Sequence, residues 1–172
     1  MKPMIALGLA AAALLAGCAT SRTPANEVSA VLRDANGRIV AYSIVRELGG
    51  IAVQVRATGL APGTYAAHLH AVGRCEPPAF DSAGPHWNPT SRQHGSENPL
   101  GAHLGDLPNL TVDAEGNGTV EFTIPAASVR RGTNVLMDAD GAAVVVHANP
   151  DDYRTDPSGN SGARIACGVL GV

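Results

Sequence analysis

Six histidines occur in this chain of 172 residues, and five of them, His68, His70, His86, His94 and His103, share one Gly- and Pro-rich segment that ends at Asp106. The sixth, His147, lies further on in the apolar run AAVVVHANP. Imidazole is the commonest side-chain ligand for metals and also an acid–base group near neutral pH. The spacings favour metal binding over a polar surface loop that is merely rich in histidine. In the H-x-H pair of His68 and His70, residues i and i+2 of a strand project to one face, so two imidazoles reach one ion. His103-x-x-Asp106 lets a short turn bring an imidazole and a carboxylate together, a mixed N/O set that suits zinc. His86 and His94 lie between these pairs on a stretch stiffened by Pro85, Pro89 and Pro99. Six rings and Asp106 make seven donors, whereas two four-coordinate ions need eight. One imidazole bound through both ring nitrogens closes that difference.

The elements that must hold these donors read as β-strands. Glu27–Arg33 alternates apolar and polar, Asp34–Gly37 signals a turn, and Arg38–Leu48 returns as a second strand. Ile51–Thr58 follows the Gly49-Gly50 break, and Ala61-Pro62-Gly63 turns into Thr64–Ala71. NLTVDAEGNGTVEFTIP reads as a hairpin turning at Glu115–Gly118. Asn134–Asp138 and Ala143–Ala148 are expected to pair across Asp138–Gly141, and Ala163–Val169 closes the chain. About eight short strands with long loops imply an all-β, single-domain Greek-key sandwich or barrel. There is no internal repeat and no long amphipathic helix.

Six pieces of sequence carry a more specific likeness: HLH at 68–70, AGPHWNP at 83–89, QHG at 93–95, HLGDLPNL at 103–110, VVVHANPDD at 144–152 and GNSGARIACGVL at 159–170. From about Glu27 to the C-terminus the chain resembles the copper–zinc superoxide dismutases of the bacterial exported kind. That resemblance implies copper at His68, His70, His86 and His147, and zinc at His86, His94, His103 and Asp106, with His86 as the bridge. It implies that Asp151 ties His68 to His94 from behind, and that Arg164 docks superoxide beside copper. The implied reaction takes two superoxide ions and two protons to dioxygen and hydrogen peroxide, with His86 as proton carrier and zinc structural. The loop Pro150–Gly162 corresponds to the family's electrostatic loop. Its Arg154 is either a steering charge or an ordinary solvated one. Where the family often reads G-x-H-G-F-H-x-H, this chain has Tyr65, Ala66 and Ala67 in place of His, Gly and Phe, and Ala66 adds a Cβ beside the copper strand. Trp87 is expected to pack the metal loop, and Asp81 and Glu97 to be solvated.

The N-terminus reads as an export signal. MKPMIALGLAAAALLAGC joins Lys2 to a short apolar run and a Leu15-Ala16-Gly17-Cys18 lipobox, so 1–17 is expected to be removed and Cys18 lipidated. Residues 18–26 form a tether and 27–172 the enzyme domain. The expected location is the cell envelope, lipid-anchored in the outer membrane facing the periplasm or at the cell surface. With Cys18 modified, Cys75 and Cys167 remain as a pair that an oxidising compartment would let bridge. Two buried free thiols are the other possibility. Loss of Lys2, the sole lysine, leaves eleven arginines against fifteen carboxylates, a net charge of −4. No basic stripe points to nucleic acid, and an anionic substrate would need local positive charge at the site. A non-enzymatic reading, an envelope lipoprotein that binds copper or zinc without turnover, leaves the arginine and the shared ligand unexplained. Oligomeric state stays open.

Overall fold

The computed structural model describes residues 26–171. The expected signal peptide, Cys18 and all of the expected tether except Asn26 lie outside them. Alternation fixes how the first strands face. In β1 (Glu27–Asp34), Val28, Ala30 and Leu32 point into the core while Ser29, Val31 and Arg33 face out. β2 (Ile39–Glu47) pairs antiparallel to it, with a register shift at which Leu32 opposes Ala41 and Arg33 opposes Ile39. Val40 is therefore an extra residue, which explains why neighbours Val40 and Ala41 are both buried. β3 (Ile51–Ala57) buries Ile51, Val53, Val55 and Ala57. The buried Ser43 hydroxyl on β2 donates to Gln54 O at 2.9 Å.

The remaining strands are β4 (Gly63–Tyr65), β5 (Ala67–His70), β6 (Leu110–Val112), β7 (Gly118–Ile124), β8 (Ala143–His147) and β9 (Arg164–Val169). Seven form one antiparallel sheet in the order β5-β8-β9-β1-β2-β3-β7, and β4 pairs with β6. β6 leads into β7 through the Asp113–Asn117 turn, where Asp113 N donates to Asn117 O at 2.8 Å. β4 runs into β5 through Ala66, so the small pair spans the two ends of the curled sheet. The all-β Greek-key expectation is met, with nine strands among the described residues in place of about eight.

Three local readings are corrected. Thr64–Ala71 is not one strand: it breaks at Ala66, whose N–H donates to Asn149 O and whose carbonyl accepts from His147 N, both at 2.9 Å. The methyl of Ala66 is fully buried there, and the Tyr65 hydroxyl donates to Ala61 O at 2.9 Å. β6 and β7 do not form a ladder, since β6 pairs with β4 and β7 with β3. Asn134–Asp138 does not pair with β8, because β5 and β9 already occupy both edges of that strand. Instead Leu136 N and Met137 N donate to Ser128 O and Val129 O, each at 2.9 Å.

β8 is buried throughout because both its faces are covered. Val144 and Val146 join the barrel core, whereas Ala143 and Val145 pack with Phe80, Ala83 and Cys167 in a second cluster outside the barrel. The Cys75–Cys167 disulfide staples this outer cluster, with Cα atoms 5.6 Å apart.

Candidate metal centre

The two long loops, 71–109 and 148–163, meet over the outer face of β5. Backbone hydrogen bonds lay the first loop onto that strand. Leu69 exchanges with both neighbours, since Trp87 N donates to Leu69 O at 2.8 Å and Leu69 N donates to Gly105 O at 2.9 Å. Gly105 is required at this crossing, because a Cβ there would lie 2.4 Å from Leu69 O. Trp87, 4% exposed, packs into the barrel core and anchors the segment. His86 thereby comes opposite His70, and Asp106 opposite His68.

All six rings are buried, though they come from distant parts of the chain. His68, His70, His86 and His147 each place a ring nitrogen within 4.8 Å of the others. A second group gathers around Asp106, whose Oδ1 lies 2.9 Å from His86 Nδ1, 3.1 Å from His94 Nδ1 and 3.1 Å from His103 Nδ1. His103 Nδ1 lies 3.4 Å from His86 Nδ1. An ion with ligands about 2.0–2.1 Å away in a tetrahedron separates them by about 3.3–3.4 Å, close to these spacings. His68 also falls within 4.8 Å of His86, His94 and Asp106. Its Nε2, however, donates to Asp151 Oδ2 at 2.8 Å, and only its Nδ1 remains free. That single nitrogen lies with the first group, and His103 Nδ1 stands beside His86 and Asp106 in the second.

His68 Nδ1, His70 Nε2, His86 Nε2, His94 Nδ1 and His147 Nε2 are buried without a hydrogen-bond partner among the described residues. Each unpaired buried polar group costs about 1–3 kcal/mol, so five of them rival the stability of a whole domain, about 5–15 kcal/mol. Four of the five belong to the first group, and each of those rings has its other nitrogen occupied: His68 by Asp151, His70 by Gly84 O at 2.9 Å, His147 by Ser161 Oγ at 3.1 Å, His86 by Asp106. Nitrogens so fixed in tautomer are what a metal ion demands.

Comparison with known proteins agrees. The family model described as copper/zinc superoxide dismutase matches residues 36–170. The chain belongs to the copper/zinc superoxide dismutase family. It is 43% identical over 146 residues to "Superoxide dismutase [Cu-Zn]" of Caulobacter vibrioides, covering 83% of this chain and 84% of that one. It is 40% identical over 144 residues to "Superoxide dismutase [Cu-Zn] 2" of Aquifex aeolicus, covering 82% and 84%. Among solved structures, a double mutant of a superoxide dismutase-like protein from Bacillus subtilis superposes with a TM-score of 0.78 at 42% identity, covering 83% of this chain and 95% of that one. The metals of this copper/zinc superoxide dismutase centre suit the donors, imidazole for copper and a mixed imidazole–carboxylate set for zinc.

Electrostatics divides the centre. Burial, together with the charge of neighbouring rings, holds His86 down at about 4 and His147 at about 3, and pushes His70 well below its ordinary value. His94 moves the other way. Burial opposes its charged form, but the Asp106 carboxylate beside Nδ1 and the hydrogen bond from Nε2 to Asp151 overcome that and raise it to about 9. Asp151 bridges His68 and His94 through its two oxygens, at 2.8 and 2.9 Å, and is held far below the usual carboxylate range against its burial. Asn109 clamps the Asp151 backbone from both sides, at 2.8 and 3.0 Å.

A cleft of about 940 Å³ opens onto His86, His103 and His147 and is lined by Arg164. Arg164 donates to Phe80 O and Gly84 O, each at 2.8 Å, so the disulfide-stapled loop fixes its guanidinium. Arg154 is held elsewhere, on Glu97 at 2.6 Å, in an exposed pair that ties the two loops together. Asp81 lines the cleft but belongs to neither donor group. Sequence reasoning missed Arg92, which lines the cleft and forms no ion pair among the described residues. It also missed Ser161, buried against His147. No spacing rule marks either residue, since Ser161 meets a ring at the end of β8 and Arg92 matters only for the cleft it lines.

Proposed function

We propose that His68, His70, His86 and His147 hold copper, that His86, His94, His103 and Asp106 hold zinc, and that the protein converts two superoxide ions and two protons to dioxygen and hydrogen peroxide. The observation that carries this reading is the double engagement of His86, with Nδ1 at 2.9 Å from Asp106 Oδ1 and Nε2 buried and bare toward His68, His70 and His147. Bound copper supplies a one-electron redox couple, and bound zinc orders the loop and holds the shared ring. Arg164 retains guanidinium donors beyond the two that anchor it, and these meet a small anion entering the cleft. His86 Nε2 is the atom on which a proton is carried while Nδ1 stays engaged. Asp151 keeps His68 and His94 in the tautomers that present Nδ1.

The test is a metal count with a superoxide assay on wild type and His86→Ala, repeated after removal of copper alone. Loss of most activity in both is expected, and full activity in His86→Ala would refute the reading. The rival, a lipoprotein that binds metal without turnover, predicts loaded but inactive wild type. Arg164, anchored at the mouth of the metal centre, has no use in a store. The lipobox supports export with cleavage after Gly17, lipidation at Cys18 and residence in the cell envelope, and Ala19 favours the outer membrane. Intact-mass measurement of the membrane fraction checks the anchor.

A further inference from the structure

The three rings that face His86 in the first group are held from behind by unequal partners. His68 Nε2 has the Asp151 carboxylate at 2.8 Å and His70 Nδ1 has the Gly84 carbonyl at 2.9 Å. His147 has only a long carbonyl contact, Gly162 O at 3.3 Å from Nδ1, past the usual span of an N–H···O bond, about 2.7–3.2 Å. Its nearer partner is Ser161 Oγ at 3.1 Å. Ser161 is fully buried and His147 is 3% exposed, so no solvent replaces this contact. The hydroxyl is also rigidly placed. Ser161 O accepts from Asn149 N at 2.9 Å, Ala163 O accepts from Ala148 N at 2.8 Å, and Ser161 N donates to Ser158 O at 3.2 Å. Gly162 between them takes φ +74, and a Cβ there would strike Asn149 Nδ2 at 2.6 Å. The segment thus has one way to sit against the end of β8.

We propose that Ser161 is a positioning residue for the copper side: with Gly162 O, an acceptor only, holding the proton on Nδ1, the Ser161 oxygen accepts the same Nδ1–H of His147 and fixes the plane in which the bare Nε2 meets the other three. A hydroxyl is a weaker acceptor than a carboxylate, so the backing grades from His68 through His70 to His147. The inference rests on His147 belonging to the copper side, and copper binding by wild type in the same titration tests that premise separately.

The experiment compares wild type, Ser161→Ala and Ser161→Thr in two measurements. One is competition of copper(II) against a chelator on the zinc-loaded protein. The other is the His147 Nδ1–H resonance in the diamagnetic copper(I)–zinc form. Replacement of an outer hydrogen-bond partner typically weakens metal affinity about 10–100-fold. With Gly162 O still present, Ser161→Ala is expected near the lower end, about tenfold, with zinc affinity unchanged and that one proton exchanging faster with solvent. Ser161→Thr, which keeps the hydroxyl, is expected to restore both. Unchanged copper affinity and an unmoved proton in Ser161→Ala would overturn the proposal. So would equal losses in Ala and Thr variants, or loss of zinc along with copper, because these report packing in place of the hydrogen bond.

Discussion

Gly159 offers a sharp test of whether the second loop builds the zinc side. Its φ is +64, and a Cβ there would lie 1.9 Å from Asp151 Oδ1 and 2.7 Å from His94 Nε2. No side chain fits unless the carboxylate that spans His68 and His94 moves away. Gly37 provides the control, with φ +82 and nothing within 4 Å of the same point. Gly159→Ala and Gly37→Ala share the left-handed backbone penalty, about 1–2 kcal/mol. Only Gly159→Ala also breaks the Asp151–His94 bond of 2.9 Å, and a hydrogen bond to a charged group contributes about 1.5–3 kcal/mol. Carried into metal binding, that excess is about 10- to 150-fold in affinity. The assay is zinc competition against a chromophoric chelator at neutral pH, with thermal melting of each metal-free protein. Gly37→Ala should bind zinc as wild type does while melting slightly lower, and Gly159→Ala should bind at least tenfold more weakly. Zinc affinity of Gly159→Ala within twofold of wild type would refute the reasoning, as would an equal loss in Gly37→Ala.

Three more outcomes follow from the geometry. In metal-free protein the charge on His94, raised to about 9, contributes stability below pH 6.5 and is lost as pH rises through about 9; zinc must displace that proton, so affinity should rise about tenfold per pH unit up to about 9 with one proton released at pH 7, which calorimetry in buffers of different ionisation heat measures. Reducing Cys75–Cys167, which spans 92 residues, should lower stability by about 4–5 kcal/mol in the chain-entropy model and loosen the carbonyls that anchor Arg164, seen as a lower melting temperature and slower turnover at full metal content. Arg92→Glu reverses two charge units in a cleft also lined by Asp81, Asp138 and Asp156; at about 10 Å in water each unit acts with about 0.4 kcal/mol on an anion, so turnover at low salt should fall about fourfold and the difference should fade at high ionic strength, whereas a salt-independent loss would assign Arg92 a structural role.

How much of this was legible in sequence depends on how far each property reaches along the chain. Alternation in EVSAVLRD and IAVQVRA reports local facing, and those strands fold as the pattern predicts. Sheet membership is not local. Nothing in GTYAAHLH shows that Tyr65 pairs with Leu110 while Ala67 pairs with Val146, and the break falls at Ala66 because its backbone is taken by His147 and Asn149. The apolar stretch around Leu136 looked like a partner for β8, but pairing is a competition for edges, and those edges were filled by residues some 70 positions earlier and 20 later.

The same division runs through the metal centre. Histidines and Asp106 stood out because few structural roles explain so many imidazoles in one segment, and the fold brings all seven donors into two adjoining groups. Ser161, Gly159 and Arg92 did not stand out, because serine, glycine and arginine are ordinary loop residues whose meaning here comes from what lies across the fold. Gly159 matters for the missing Cβ beside Asp151, and Ser161 for an oxygen 3.1 Å from a ring fourteen residues away. Residues that bind metal are constrained by chemical type, whereas residues that aim those ligands are constrained by position. A family of sites sharing one donor set therefore has room to vary in the second class, and it is there that substitutions in this chain should tune the metals, copper at Ser161 and zinc at Gly159.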